Sequence, residues 1–78
     1  MQHPSYPVRL SRDVDGRYLA TCRDVPEALT DGASEAEALR EMIDALCVAI
    51  AGYRHAGRDL PTPTRAQEGE TVVRVAVD

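Results

Sequence analysis

The chain has 78 residues, no tryptophan or phenylalanine, and a formal net charge of −4 at pH 7. A chain of this length forms one domain with a small core, which leaves little room for a deep catalytic cleft. The negative charge disfavours direct binding to nucleic acid or to an anionic membrane, because phosphate groups require a basic surface, and it favours a basic protein partner.

The two cysteines, Cys22 and Cys47, form no CxxC motif, and neither His3 nor His55 has the spacing of a zinc ligand. We therefore predict two reduced thiols in the core and neither a metal nor another cofactor. The N-terminus is polar and no apolar run approaches the length of a membrane span, so we expect a cytoplasmic protein without membrane association.

Period-two alternation predicts the strands. Residues 5–12 alternate apolar and polar side chains, and Gly16 in the following turn leads into a second, antiparallel strand over 18–23. Pro26 interrupts the pattern before a short third strand at 28–31. Residues 71–77, which are rich in valine, form the final strand.

A long amphipathic helix is predicted at residues 34–56. Its core face follows helical spacing through Leu39, Met42, Ile43, Leu46, Ile50 and Tyr53. Ser34 and Glu37 form a capping box at its start, and Gly57 is the residue expected at its C-terminal cap. This helix supplies one whole side of the core.

The resulting order, βββαβ, predicts an α+β domain. If the helix returns the chain after a three-strand meander, the last strand lies beside the first and parallel to it, which gives a four-stranded mixed sheet of order 3-2-1-4 with a right-handed crossover. One helix covers one face. The other face stays open and carries Arg9, Leu19, Thr21, Val72 and Ala76.

A second stripe on the helix consists of the small residues Ala38, Ala45, Ala49, Gly52 and Ala56. Alanine is the best helix former, which accounts for most of this stripe, but small residues also allow another backbone to approach closely. The stripe and the free edge of the final strand predict a homo-oligomer, most simply a dimer, whose interface uses either surface: Ala45 and Ala49 on the stripe, or Arg74 on the strand edge.

A pattern of short motifs carries a family resemblance. The motifs are Tyr6-Pro7-Val8, Asp15-Gly16, Tyr18-Leu19-Ala20, Asp24-Val25-Pro26, Thr30, Gly32, Ser34, Glu37-Ala38-Leu39, Gly57, Leu60-Pro61 and Pro63. In this order they resemble the N-terminal domain of the HicB-like antitoxins of type II toxin-antitoxin systems. The resemblance covers nearly the whole chain.

That resemblance implies a partial ribonuclease-H-like fold without catalysis. It also implies a partner, the HicA toxin, a small basic protein that cleaves messenger RNA and whose RNA surface the antitoxin covers. The chain departs from the family pattern at Arg23, where proline is usual, and at Glu27, where glycine is usual. Many relatives append a DNA-binding domain, whereas this sequence stops at Asp78, so we expect a single HicB-like domain over 1–78 and no direct nucleic-acid binding.

The toxin contact is predicted in the loop after the second strand, at Asp24, Val25, Pro26 and Glu27. The alternative is that these are ordinary solvated turn residues, since aspartate favours turns.

Two other functions remain as alternatives. A ribonuclease-H-like enzyme would need clustered carboxylates that hold two metal ions about 4 Å apart; the strand at 5–12 contains no acid, and we predict no enzymatic activity. An orphan homo-oligomeric HicB-like domain without a toxin has the same sequence features as an antitoxin, and the sequence does not separate the two.

Overall fold

The computed structural model describes residues 4–76. Within that range the elements are β1 (Ser5–Arg12), β2 (Tyr18–Thr21), β3 (Leu29–Gly32), α1 (Glu35–His55) and β4 (Glu70–Arg74). The α+β class and the order βββαβ are confirmed. β1 has the predicted bounds and β2 begins where predicted, whereas the other strand ends differ from the predicted ones by one to three residues. The predicted strand end at Val77 lies outside the described residues.

The sheet has the predicted order, β3-β2-β1-β4, but not the predicted strand directions. β4 runs antiparallel to β1, with Arg74 opposite Ser5 and Glu70 opposite Arg9. The other two pairs are also antiparallel. The predictions of a mixed sheet and of a parallel right-handed crossover were therefore wrong.

The direction of β4 is set by the segment between α1 and β4, residues 57–69, which we call the connector. The Tyr6 hydroxyl donates to the Pro61 carbonyl at 2.8 Å, and Arg9 Nη2 reaches Gln67 Oε1 at 3.4 Å, so the connector runs in the direction of β1. A turn then reverses the chain: the Glu70 amide donates to the Gln67 carbonyl at 3.0 Å, and Gly69 has a φ of 86°. This extra reversal, which the prediction did not include, makes β4 antiparallel.

The helix ends within one residue of the predicted bounds, and its caps are the predicted end residues, because both ends are encoded locally. Ser34 is the N-cap, and its Oγ accepts from the Glu37 amide at 3.1 Å. Ala56 is the C-cap, and Gly57 follows it with a φ of 70°, the left-handed conformation that glycine adopts without strain.

The core lies between α1 and one face of the sheet. The buried helix residues are Ala38, Met42, Leu46 and Ile50, and the buried sheet residues include Tyr6, Val8, Ala20, Val73 and Val75. Leu39 and Ile43 lie half-buried beside this face. The helix is thus rotated slightly from the predicted orientation, and Ala38 is a core residue, although the prediction placed it in the small-residue stripe.

Gly32, at the end of β3, explains this rotation. A Cβ atom at Gly32 would lie 2.5 Å from the Ala38 amide nitrogen, closer than a carbon can approach backbone. The missing side chain therefore lets α1 pack directly on β3, and α1 lies mainly over β3 and β2.

Candidate partner-binding site

The loop between β2 and β3 contains the four residues that the sequence predicts to contact the toxin, and they do not form one exposed surface. Val25 is fully buried. Its amide donates to the Cys22 carbonyl at 3.2 Å, and its carbonyl accepts from the Ala28 amide at 2.9 Å. Val25 therefore anchors the loop in the core, and Pro26 and Glu27 are left exposed at the tip.

Asp24 binds the connector. Its carboxylate accepts from the Thr64 amide at 2.9 Å and from the Thr64 hydroxyl at 2.9 Å. The residue is half-buried. Asp24 therefore holds the middle of a segment that has no regular secondary structure.

Arg23, the neighbour of Asp24, binds the same segment and the start of β4. Its Nε donates to Thr64 Oγ1 at 3.1 Å, its Nη2 donates to the Arg65 carbonyl at 2.5 Å, and its Nη1 forms a salt bridge with Glu70. These contacts tie the end of β2 to the connector and to β4.

Glu70 lies at the centre of this network. Its side chain is 4% exposed; it accepts from the Gln67 amide at 2.7 Å and lies 3.5 Å from Arg9 Nη2. The hydrogen bond from Arg23 is the main reason that the pKa of Glu70 lies below its ordinary value. We call the six residues of this network the polar cluster: Arg9, Arg23, Asp24, Thr64, Gln67 and Glu70.

Glu27 connects the loop tip to the end of α1. The Tyr53 hydroxyl donates to Glu27 Oε2 at 2.6 Å, and the Arg58 guanidinium stacks over the Tyr53 ring at 4.5 Å from its centroid. The hydrogen bond from Tyr53 lowers the pKa of Glu27, so this exposed group carries its negative charge at neutral pH.

The internal contacts of this loop were not foreseen from the sequence. Arg23 and Glu70 are distant in the chain, and no periodic pattern joins them. The one available signal was the departure from the family pattern at Arg23 and Glu27. Both of these side chains make contacts that proline and glycine cannot make.

The three residues predicted as oligomer contacts fall on two separate surfaces. Ala45 and Ala49 are half-buried and pack against the core, on the flank of α1 where Ala38 meets β3. Arg74 is exposed on β4, at the opposite side of the sheet. The stripe and the strand edge therefore stay two alternative surfaces for an oligomer.

Residues 4–76 contain no group of three or more side chains arranged to hold a metal ion, and within the same range no helix is long and apolar enough to cross a membrane. Both cysteines are free thiols; Cys22 is buried, and desolvation raises its pKa, whereas Cys47 is half-buried. The middle of β1 reads Pro7, Val8 and Arg9, without a carboxylate.

Comparison with known proteins gives one consistent result. A family described as HicB-like antitoxin of bacterial toxin-antitoxin system matches residues 5–78. Antitoxin HicB 2 of Photorhabdus laumondii subsp. laumondii is 40% identical over 70 residues, which are 90% of this chain and 48% of that protein. Antitoxin HicB of Escherichia coli K12 is 34% identical over 70 residues, again 90% of this chain and 51% of the relative. The chain thus spans about half the length of these relatives.

The fold has a solved counterpart. The crystal structure of the N-terminal domain of Burkholderia pseudomallei antitoxin HicB superposes with a TM-score of 0.71 at 17% identity, over 96% of this chain and 99% of that one. The family match covers nearly all of the sequence, and the resemblance expected from the short motifs is confirmed. This chain belongs to the HicB-like family of bacterial antitoxins.

Proposed function

We propose that this chain is a toxin-binding module that neutralises a HicA-like, mRNA-cleaving toxin by covering the toxin's RNA surface. The observation that carries the proposal is the family match over residues 5–78. The net charge of −4 supports it, because a protein surface that binds RNA is basic and attracts an acidic partner.

The proposed role requires no catalysis by this chain. Two-metal nucleases need carboxylates that converge on their metal ions. β1 presents Pro7, Val8 and Arg9 at its centre, and Arg9 turns toward Glu70. A cation and a proline at these positions support a binding function over hydrolysis.

The proposed contact is the tip of the β2–β3 loop. Pro26 and Glu27 project from it, while buried Val25 fixes their position. Glu27 is ionised at neutral pH and still has a second oxygen to offer a partner. Asp24 adds a half-buried carboxylate beside them, and association should slow as salt rises.

The structure supplies a matched control for testing Glu27. Glu27→Arg reverses the charge but also breaks the hydrogen bond from Tyr53, whereas Tyr53→Phe breaks the same bond and leaves the carboxylate in place. We expect Glu27→Arg to weaken binding to a HicA-like toxin from an adjacent gene and Tyr53→Phe to have little effect, as measured by titration calorimetry. Equal losses in the two variants would mean that the effect arises from the internal bond.

A second pair tests Asp24 in the same way. Asp24→Arg and Asp24→Ala both remove the bonds from the Thr64 amide and hydroxyl, but only the first introduces a positive charge. Protection of RNA from the toxin should fall in Asp24→Arg more than in Asp24→Ala. Unchanged affinity in Asp24→Arg and Glu27→Arg would place the toxin on another surface. Failure of the parent to bind the adjacent toxin would instead favour the orphan HicB-like domain.

A further inference from the structure

The outer edge of β4 has hydrogen-bonding groups that the sheet does not use. The Val75 amide donates to the Pro4 carbonyl at 2.8 Å, which fixes the alternation of the β1–β4 ladder. In the same register Thr71 and Val73 direct their backbone groups toward β1, and Glu70, Val72 and Arg74 direct theirs away from it. Pro7 lies opposite Val72, where no donor toward β4 is needed.

Side chains on this edge are arranged for self-pairing. Val72 is 56% exposed at the centre of the strand. Exposed, acidic Glu68 lies just before one end of it and exposed, basic Arg74 lies at the other end. Antiparallel pairing of two such strands places the basic end of each beside the acidic end of the other.

We propose that β4 pairs with β4 of a second copy of this chain about a two-fold axis at Val72, which joins the two sheets into one. Val72 then lies opposite Val72 of the second copy, and Arg74 lies opposite Glu70. The Val72 and Arg74 amides donate across the axis to the Val72 and Glu70 carbonyls. The Glu70 amide takes no part, because it donates to Gln67 within its own chain.

The surroundings of β4 are compatible with this pairing. α1 lies mainly over β3 and β2, at the other side of the sheet, so the two helices of the dimer do not meet. The opposite edge is less suitable, because the only charged residue of β3 is Asp31, which forms a salt bridge with Arg17 at 3.0 Å. The choice of β4 therefore follows from its charges as well as from its position.

Arg74→Pro is the main test. Proline removes an amide N–H that points away from β1, so the hydrogen bonds between β1 and β4 stay complete. Arg74→Ala is the matched control, because it removes the same side chain and retains the amide N–H. We expect sedimentation equilibrium to show a dimer for the parent. Arg74→Pro should weaken self-association about 30-fold relative to Arg74→Ala, since two hydrogen bonds of about 1 kcal/mol each are lost per dimer.

A cross-link tests the position of the axis. In a Cys47→Ser background, Val72→Cys places two thiols on residues about 5.5 Å apart between Cα atoms, within the range of a disulfide. Oxidation should link this variant as a dimer and should not link Val48→Cys, whose side chain is 73% exposed on the helix. A monomeric parent at high concentration, or equal self-association of Arg74→Pro and Arg74→Ala, would overturn the proposal, as would equal linking of the two cysteine variants.

Discussion

The helix and the final strand are attached to the same sheet by different kinds of contact. α1 packs through buried apolar side chains and through close backbone contact at Gly32. The connector and the start of β4 are held in addition by the charged and hydrogen-bonding groups of the polar cluster. Apolar burial is insensitive to pH, whereas ion pairs respond to both pH and salt, so the two attachments should fail under different conditions.

The largest expected effect is on the helix side of this comparison. Leu46 is fully buried at the centre of α1. Leu46→Ala should lower the free energy of unfolding by about 2 to 5 kcal/mol, because it removes apolar contacts and leaves a cavity. Val48→Ala, at an exposed site on the same helix, is the control and should change stability by less than about 0.5 kcal/mol in denaturant unfolding.

Gly32→Ala should produce the next largest effect. The added Cβ would meet the backbone of Ala38, which cannot move aside as a flexible side chain would. We expect a loss of about 1 to 3 kcal/mol, typical of overpacking, measured by urea titration. An unchanged midpoint would show that α1 and β3 are farther apart than described.

Gly52→Ala should change stability in the opposite direction. Gly52 lies inside α1, and no neighbouring atom lies within 4 Å of a Cβ placed there. Alanine is favoured over glycine in a helix by about 1 kcal/mol, so thermal unfolding should show a gain of that order. A loss in the isolated chain would contradict the open space on this side of the helix.

The smallest change in global stability is expected on the connector side, and it should depend on pH. The pKa of Glu70 in the folded chain lies below its ordinary value of 4.5. The ionised carboxylate therefore stabilises the folded chain fully above pH 4.5, and this stabilisation is lost as the pH falls through the folded-state pKa. The protection factors of the β4 amides, which compare their exchange with that of an unfolded chain at the same pH, should therefore fall on acidification below about pH 4.5, the ordinary value for the carboxyl group.

Glu70→Gln is the matching variant. Its β4 amides should have lower protection factors at neutral pH, and these factors should depend less on pH, because glutamine cannot form the ion pair with Arg23. If the parent and Glu70→Gln have the same pH profile, the polar cluster does not hold β4.

The helix and the final strand also differ in how far the sequence predicts them. The bounds of α1 depend on Ser34 and Gly57, which lie at the helix ends, and β1 follows from alternation within one segment. The direction of β4 depends on the path of residues 57–69, which have no periodic pattern. An extended segment of that length reaches about 40 Å, more than the roughly 32 Å of the helix. It can therefore deliver the chain to either end of β1, so that β4 could run parallel or antiparallel to β1.

The candidate site was predictable only in its position. Asp24, Pro26 and Glu27 mark a loop between strands, and the loop is present. Their bonds to Thr64 and Tyr53 join segments far apart in sequence, and only the tertiary structure brings these together. The carboxylates of Asp24 and Glu27 therefore have structural roles, which is why their charge-reversal variants need matched controls.

Hydrogen exchange of the free and toxin-bound chain tests the central claim most directly, because it locates the contact without any substitution. The account predicts that binding slows exchange at residues 24–28, leaves the middle of α1 unchanged, and weakens with increasing salt. Protection around Val72 with unchanged exchange at 24–28 would contradict the proposed contact, and no protection anywhere would contradict toxin binding itself.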